Sequence, residues 1–161
     1  MRIYLLRHGT AQQRPPSGAD SADRELVDKG RKQCEEVVKL LTRMGISFDR
    51  ALSSPYARAR QTAEAVLGGL EVSAALQLDE RLKPAGIAAR AISSSVGEGS
   101  AERVLAVGHE PLLSEIAATL ISAPPESVTL RKGGLVELQL TSIRPRRAMI
   151  LGLIRPAHLR G

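Results

Sequence analysis

Short apolar runs alternate along the chain with stretches whose apolar residues recur at helical spacing. Met1-Arg2-Ile3-Tyr4-Leu5-Leu6 opens as a strand and is followed by a polar segment, Gln12 to Glu25, in which Pro15, Pro16 and Gly18 break any regular element. That segment reads as a mobile loop. From about Asp28 to Met44 the apolar residues Cys34, Val37, Val38, Leu41 and Met44 fall on one face of a helix, and Gly45 supplies the stop. A short strand at Arg50 to Ser53 precedes a helix from Tyr56 to Leu67. Pro55 stands near its first turn and Gly68-Gly69 at its end.

A weaker helix is expected over Ile87 to Ile92, then a loop marked by Gly97 and Gly99, then a buried strand from Arg103 to Val107. Pro111 opens a helix whose inner face is Leu112, Leu113, Ile116, Ala117 and Leu120. Leu135 to Leu140 alternates Val136, Leu138 and Leu140 against Glu137 and Gln139. Ala148 to Leu153 is largely apolar, and these last two segments are expected as strands near one edge. Strand and helix in alternation predict an α/β fold: a three-layer sandwich with a central, mostly parallel sheet flanked by helices and no cap insertion.

With 161 residues and neither an internal repeat nor a Pro/Gly-rich linker, the chain is expected to form a single domain over residues 1–161. Cys34 is the one cysteine, so no internal disulfide is possible; its place on the apolar helical face makes it a core residue. No leader-like segment and no apolar stretch of roughly 18 residues is visible. A cytoplasmic location follows as an expectation, with no membrane partner. The net charge of +6 gathers late, at Arg144, Arg146, Arg147, Arg155 and Arg160, and aromatics are only 2% of residues. Lacking stacking platforms, the chain is not expected to bind nucleic acid. Its basic surface either attracts a phosphorylated or acidic partner or is simply solvated.

Three segments carry the candidate chemistry. Arg7-His8-Gly9-Thr10 stands at the carboxyl end of the first strand, where open α/β sheets place their ligands. Ser53-Ser54-Pro55-Tyr56-Ala57-Arg58-Ala59-Arg60-Gln61-Thr62 follows a second apolar run. Val104-Leu105-Ala106-Val107-Gly108-His109-Glu110-Pro111 repeats the arrangement of strand then histidine. The guanidinium forks of Arg7 and Arg58 offer fixed positive donors that suit an anionic ligand in charge and shape. Gly9 and Gly108 would let backbone approach a ligand where a Cβ would obstruct it. Thr10 and Ser54 could donate further hydrogen bonds or serve as caps. Gln61 and Thr62 read as packing and loop-anchoring residues, Arg60 as facing elsewhere on the helix, and His158 as a surface residue.

Together with Leu26 to Gly30, these motifs in this order resemble the histidine phosphatase superfamily, and within it the small SixA-type phosphohistidine phosphatases, from Met1 to about Leu140. The resemblance implies that His8 is the nucleophile, forming a phosphohistidine intermediate that water hydrolyses, that Arg7 and Arg58 bear the charge spread over the phosphoryl oxygens, that Gly9 and Gly108 let backbone approach the phosphate, and that His109 is a third phosphate donor. No metal or cofactor is implied. Two departures stand out. The SixA-like pattern has an acidic residue before Leu-x-Pro-x-Gly, whereas Leu82-Lys83-Pro84-Ala85-Gly86 is preceded by Arg81 with Glu80 one place further back; Glu80 and then Glu110 are the candidates for general acid. Val27 stands where the family usually has a helix-capping threonine, a cap that Asp28 could take over.

The leaving ring of a phosphohistidine can carry its own proton, so a site short of an acid suits P–N better than P–O cleavage. The expected function is therefore a phosphohistidine phosphatase acting on a signalling or phosphotransfer protein. The alternatives are a small-molecule phosphomonoesterase or mutase, a non-catalytic module that binds phosphorylated partners and, last, a nucleic-acid binder.

Overall fold

A computed structural model describes residues 1–84, 101–143 and 146–154. The expected helix at Ile87 to Ile92, the Gly97/Gly99 loop and His158 lie outside them. Strands β1 (Arg2–Arg7), β2 (Arg50–Ser53), β3 (Leu76–Leu78), β4 (Arg103–Gly108), β5 (Leu135–Ile143) and β6 (Arg146–Ile154) form one sheet in the order β3-β2-β4-β1-β5-β6. The four strands from β3 to β1 are parallel, while β5 and β6 add an antiparallel edge. Helices α1 (Asp28–Arg43), α2 (Ala57–Gly69) and α3 (Leu112–Ile121) cover it.

Alternation along β1 and β4 sorts the core into two layers. Ile3, Leu5, Val104 and Ala106 face α3 and pack on Leu113, Ile116 and Leu120. Tyr4, Leu6, Leu105 and Val107 face the opposite way, onto Val37, Leu41, Ala63 and Val66 of α1 and α2. Successive strand side chains point to opposite faces, so a strand buried on both sides must be apolar throughout, as residues 3–6 and 104–107 are. The expected α/β sandwich is thus observed. Among the described residues no helix is long and apolar enough to cross a membrane.

Three details differ from the sequence reading. β3 was not expected; it is a three-residue edge strand with two exposed positions. Glu137, placed by alternation on a polar face, is buried, where its Oε1 accepts from the Tyr4 hydroxyl at 2.8 Å and from Arg2 at 3.1 Å. The N-cap of α1 is Val27 with no side-chain cap, so Asp28 does not take over that role. The helix start is held by main chain instead: the Val27 N–H donates to the Thr10 carbonyl at 3.1 Å.

That junction explains Gly30. A Cβ there would stand 2.1 Å from the Thr10 carbonyl oxygen, and one on Gly9 would stand 2.8 Å from the Gly30 oxygen. The two glycines bring α1 directly onto the end of β1. Gly30→Ala should therefore lose about 1–3 kcal/mol or more in urea unfolding, because backbone cannot yield as a side chain can. Gly68→Ala in α2, where nothing lies within 4 Å, should gain up to about 1 kcal/mol from helix propensity. Equal effects would contradict this packing account.

Candidate active site

β1, β2 and β4 end together, and each delivers one side chain past its last ladder residue. Arg7 pairs with Gly108 across the β1–β4 ladder, so His8 and His109 emerge side by side with ring centroids 4.9 Å apart. Main-chain bonds continue beyond the ladder, from His8 N–H to the Gly108 carbonyl at 3.1 Å and from Ser54 N–H to the Val107 carbonyl at 3.0 Å. Both rings are buried, at 6% and 2% exposure.

The hydrogen bonds assign the protons on His8. Nδ1 lies 2.7 Å from the Gly9 carbonyl, an acceptor only, so Nδ1 carries the hydrogen. Nε2 then presents a lone pair, which accepts from Arg58 Nε–H at 3.3 Å. Burial, opposed by the Gly9 carbonyl and reinforced by the charges of Arg58, Arg7 and Lys132, pushes the His8 pKa down to about 3. For His109 burial again leads, followed by His8 and Arg58, and the value falls to about 2. Both rings are neutral at working pH. His109 Nε2 lies 2.9 Å from Ser54 Oγ, while its buried Nδ1 has no partner among the described residues.

Arg58, in the first turn of α2, is 2% exposed. Each of its three nitrogens has a partner: Nε on His8, Nη1 on the Ser21 carbonyl at 3.1 Å and Nη2 on Asp20 Oδ2 at 2.8 Å. Its Cζ lies 4.9 Å from the centre of the Tyr56 ring, which meets the His109 ring in a T-shaped contact. Burial works to raise the Asp20 pKa, but hydrogen bonds and charge from Arg24 and Arg58 outweigh it and hold the carboxyl below its usual range. Arg7 donates from Nη1 to the Leu130 carbonyl at 2.7 Å, and its buried Nε has no partner among the described residues.

The structure thus brings together Arg7, His8, Ser54, Arg58 and His109. Thr10 stays close but is turned to α1, its N–H and hydroxyl both donating to Gln33 Oε1. At Gly9 the Gly30 backbone fills the space a Cβ would take, whereas at Gly108 a Cβ would stand 3.3 Å from the Leu113 side chain and 3.4 Å from the Leu82 carbonyl oxygen, near ordinary contact. Gln61 and Thr62 anchor as expected, accepting from the N–H groups of Leu26 and Gly9. Cys34 is buried.

The two acid candidates are not alike. Glu80 is 73% exposed and ion-paired with Lys83. Glu110 uses Oε1 to accept from Ser114 Oγ at 2.7 Å and Leu130 N–H at 2.8 Å, tying the residue-130 segment to α3. Sequence reasoning missed Asp20, Ser21 and Tyr56, and also the Arg131–Gly134 turn that grips Arg7 and His8. A Gly-Gly pair before a strand signals a turn, but nothing in the sequence signals its neighbours.

Residues 3–86 match the profile of the histidine phosphatase superfamily (branch 1). The chain belongs to this superfamily. Phosphohistidine phosphatase SixA of Escherichia coli is 28% identical over 146 residues, 83% of this chain and 88% of that protein. The protein histidine phosphatase SixA solved with tungstate superposes at a TM-score of 0.85, with 22% identity, over 99% of this chain and 100% of its own. The alpha-ribazole phosphatase of Shigella flexneri superposes at 0.72 with 20% identity, covering 97% of each chain. This superfamily member is SixA-like in sequence and fold.

The two buried rings of this histidine phosphatase superfamily member make its stability depend on pH with a defined sign. An unfolded histidine protonates near 6.5, whereas the folded chain resists until about 3 at His8 and about 2 at His109. Below pH 6.5 the unfolded state binds protons that the folded state refuses, so stability falls as pH drops from there toward 3. Each ring contributes a slope of up to about 1.4 kcal/mol per pH unit. Urea unfolding at stepped pH should show a shallower decline for the His8→Asn/His109→Asn double variant than for wild type; parallel curves would contradict neutral buried rings.

Proposed function

We propose that the protein is a phosphatase with His8 as nucleophile, acting without a metal on phosphohistidine carried by a signalling or phosphotransfer protein. One observation carries this reading: His8 Nε2 is an unprotonated, buried lone pair set against the guanidinium of Arg58. The likeness to SixA, including one solved with the oxyanion tungstate, supports it.

In the first step Nε2 attacks phosphorus. The P–N bond to the substrate ring breaks, and its electron pair leaves with a neutral imidazole that keeps the hydrogen on its other nitrogen. Arg7 and Arg58 bear the charge of the phosphoryl oxygens, and His109 donates from Nδ1 while Nε2 accepts the Ser54 hydroxyl hydrogen. In the second step water attacks phosphorus, the P–Nε2 bond breaks, its pair returns to His8, and the water protons stay with inorganic phosphate. Splitting one displacement into two lowers each barrier, and donors already fixed in place need no reorganisation.

The proton inventory supports the choice of substrate. Among the described carboxyls, Asp20 is held ionised by Arg24 and Arg58, Glu110 already accepts two hydrogen bonds and Glu80 is turned to solvent on Lys83. An alkoxide leaving group needs a proton donor, whereas a phosphohistidine ring brings its own.

His8→Ala should abolish turnover of phosphohistidine protein in the presence of chelator, and acid quenching should trap labelled enzyme in the wild type alone. Arg58→Lys and Arg7→Lys should each lose about 10²–10³ in rate despite retained charge, because the fork is lost. Normal turnover in His8→Ala, or a higher kcat/KM on small phosphate esters than on phosphohistidine protein, would reject the reading. The latter result would favour a small-molecule phosphatase.

Glu80→Gln tests the remaining acid candidate. If Glu80 serves as proton donor, alkyl phosphate hydrolysis should fall most, aryl phosphate less and phosphohistidine least. An equal loss on all three would mark Glu80 as structural.

A further inference from the structure

The turn Arg131-Lys132-Gly133-Gly134 is built directly against the reacting residues. Gly134 N–H closes it on the Arg131 carbonyl at 2.7 Å, Gly133 takes the left-handed place at φ 71°, and Lys132 occupies the tip. The Gly133 N–H is shared between the carbonyls of Arg7 and His8, 3.1 Å from each, while Arg7 N–H donates to the Gly134 carbonyl at 3.0 Å. Main-chain bonds therefore hold Lys132 beside the nucleophile. Its charge acts on His8, and Lys132 itself, partly desolvated, lies within the fields of Arg7, Arg24, Lys29 and Arg58. Lys29 stands in the first turn of α1. With Lys32, Gln33 and Glu36 it lines a cavity of about 380 Å³, and Gln33 is the residue that grips Thr10.

A phosphoryl group uses the charge of Arg7 and Arg58. Arg24 is paired with Asp20. Lys132 and Lys29 have no ion-pair partner among the described residues. Gathering like charges costs electrostatic free energy, and an anionic partner relieves it. The sign changes elsewhere around Arg7, where Glu110, Glu115 and Glu126 share with it a cavity of about 420 Å³. Positive side chains thus stand at the turn and the start of α1, and carboxylates on the side of that second cavity.

We propose that Lys132 and Lys29, with Lys32 beside them, form a cationic rim that docks acidic side chains flanking the phosphohistidine of a protein substrate. This assignment rests on the proposed function and adds the character of the substrate surface. Acidic residues of the partner are drawn to the turn and α1, away from the cavity lined by the three glutamates, so the rim also orients the incoming chain. Rim charges act mainly on encounter and its salt dependence, which separates them from the donors that act on the phosphoryl group.

Two synthetic peptides test this. Each has one histidine phosphorylated with phosphoramidate, flanked by Asp and Glu in one and by Asn and Gln in the other; phosphoramidate itself serves as the substrate without flanks. At low ionic strength the wild type should favour the acidic peptide by about tenfold in kcat/KM, and added salt should erase the preference. Lys29→Gln/Lys132→Gln should lose that preference through KM, with a loss on the acidic peptide at least about fivefold greater than on phosphoramidate. Lys132→Arg, which keeps the charge, should keep the preference. Equal use of both peptides by the wild type, or an equal loss on all three substrates in the double variant, would overturn the rim while leaving the phosphohistidine reading intact. Turnover of small phosphate esters but of neither peptide nor phosphoramidate would overturn both.

Discussion

Parallel pairing of β1 with β4, in the register that sets Arg7 opposite Gly108, is the constraint on which the site depends. Residues paired across a parallel ladder leave their strands at the same height, so the next residue of each, His8 and His109, appears at the same step. The rings sit 4.9 Å apart, close to the strand spacing of about 4.8 Å. A slip of one residue would turn one ring to the other face and also invert which of Tyr4 and Leu5 meets α1. The core and the site are therefore specified by one register. The apolar alternation that buries both faces of β1 and β4 also aims the histidines.

The same burial creates an electrostatic tension. Two buried bases share the site with the buried Arg58 and the half-buried Arg7, and all four are pushed toward neutrality by desolvation. Asp20 eases this at Arg58, whose fork is otherwise satisfied by Ser21 and by the lone pair of His8. A base with so low a pKa is a weak nucleophile in the absence of an anion. If His8 is the nucleophile as proposed, a phosphoryl dianion entering between the guanidiniums offsets their field, raises the basicity of Nε2 and draws the Arg58 N–H away from it. The proposed substrate then strengthens the group that attacks it, and the cations that suppress His8 at rest become the proposed donors to the transition state.

The features legible in the sequence were those written locally. Four-residue apolar runs marked β1 and β4, a single helical stripe marked α1, and histidines directly after strands marked the centre of the site. β3 was invisible because Leu76-Gln77-Leu78 is too short for a pattern and mostly exposed at a sheet edge. Glu137 was misplaced because alternation assigns faces but does not report that the Tyr4 hydroxyl, 133 residues away, waits as its partner. Asp20 went unseen for the same reason, since its pairing with Arg58 spans 38 residues between a loop and a helix. Gly9 was recognised as special, but its empty side accommodates Gly30, a contact that exists only once α1 has docked. Periodicity carries burial well and carries pairwise polar geometry hardly at all.

Asp20 also sets what the polar loop can do. The segment is closed at its base by the Ala11–Leu26 bridge and by Gln12 N–H on the Glu25 carbonyl, and tied at its crest to Arg58 and to the start of α2 through Ala57 N–H on the Ala22 carbonyl. A loop read from composition as mobile thus carries the counter-ion of a catalytic candidate. Its carboxylate competes with any incoming phosphoryl oxygen for the same guanidinium, so the loop's hold on Arg58 and the affinity of the site for anions are opposed. Because Arg24 takes the other oxygen of Asp20, the carboxylate can shift toward Arg24 without losing its charge partner, and Arg58 can be released to the substrate without leaving a buried charge unpaired.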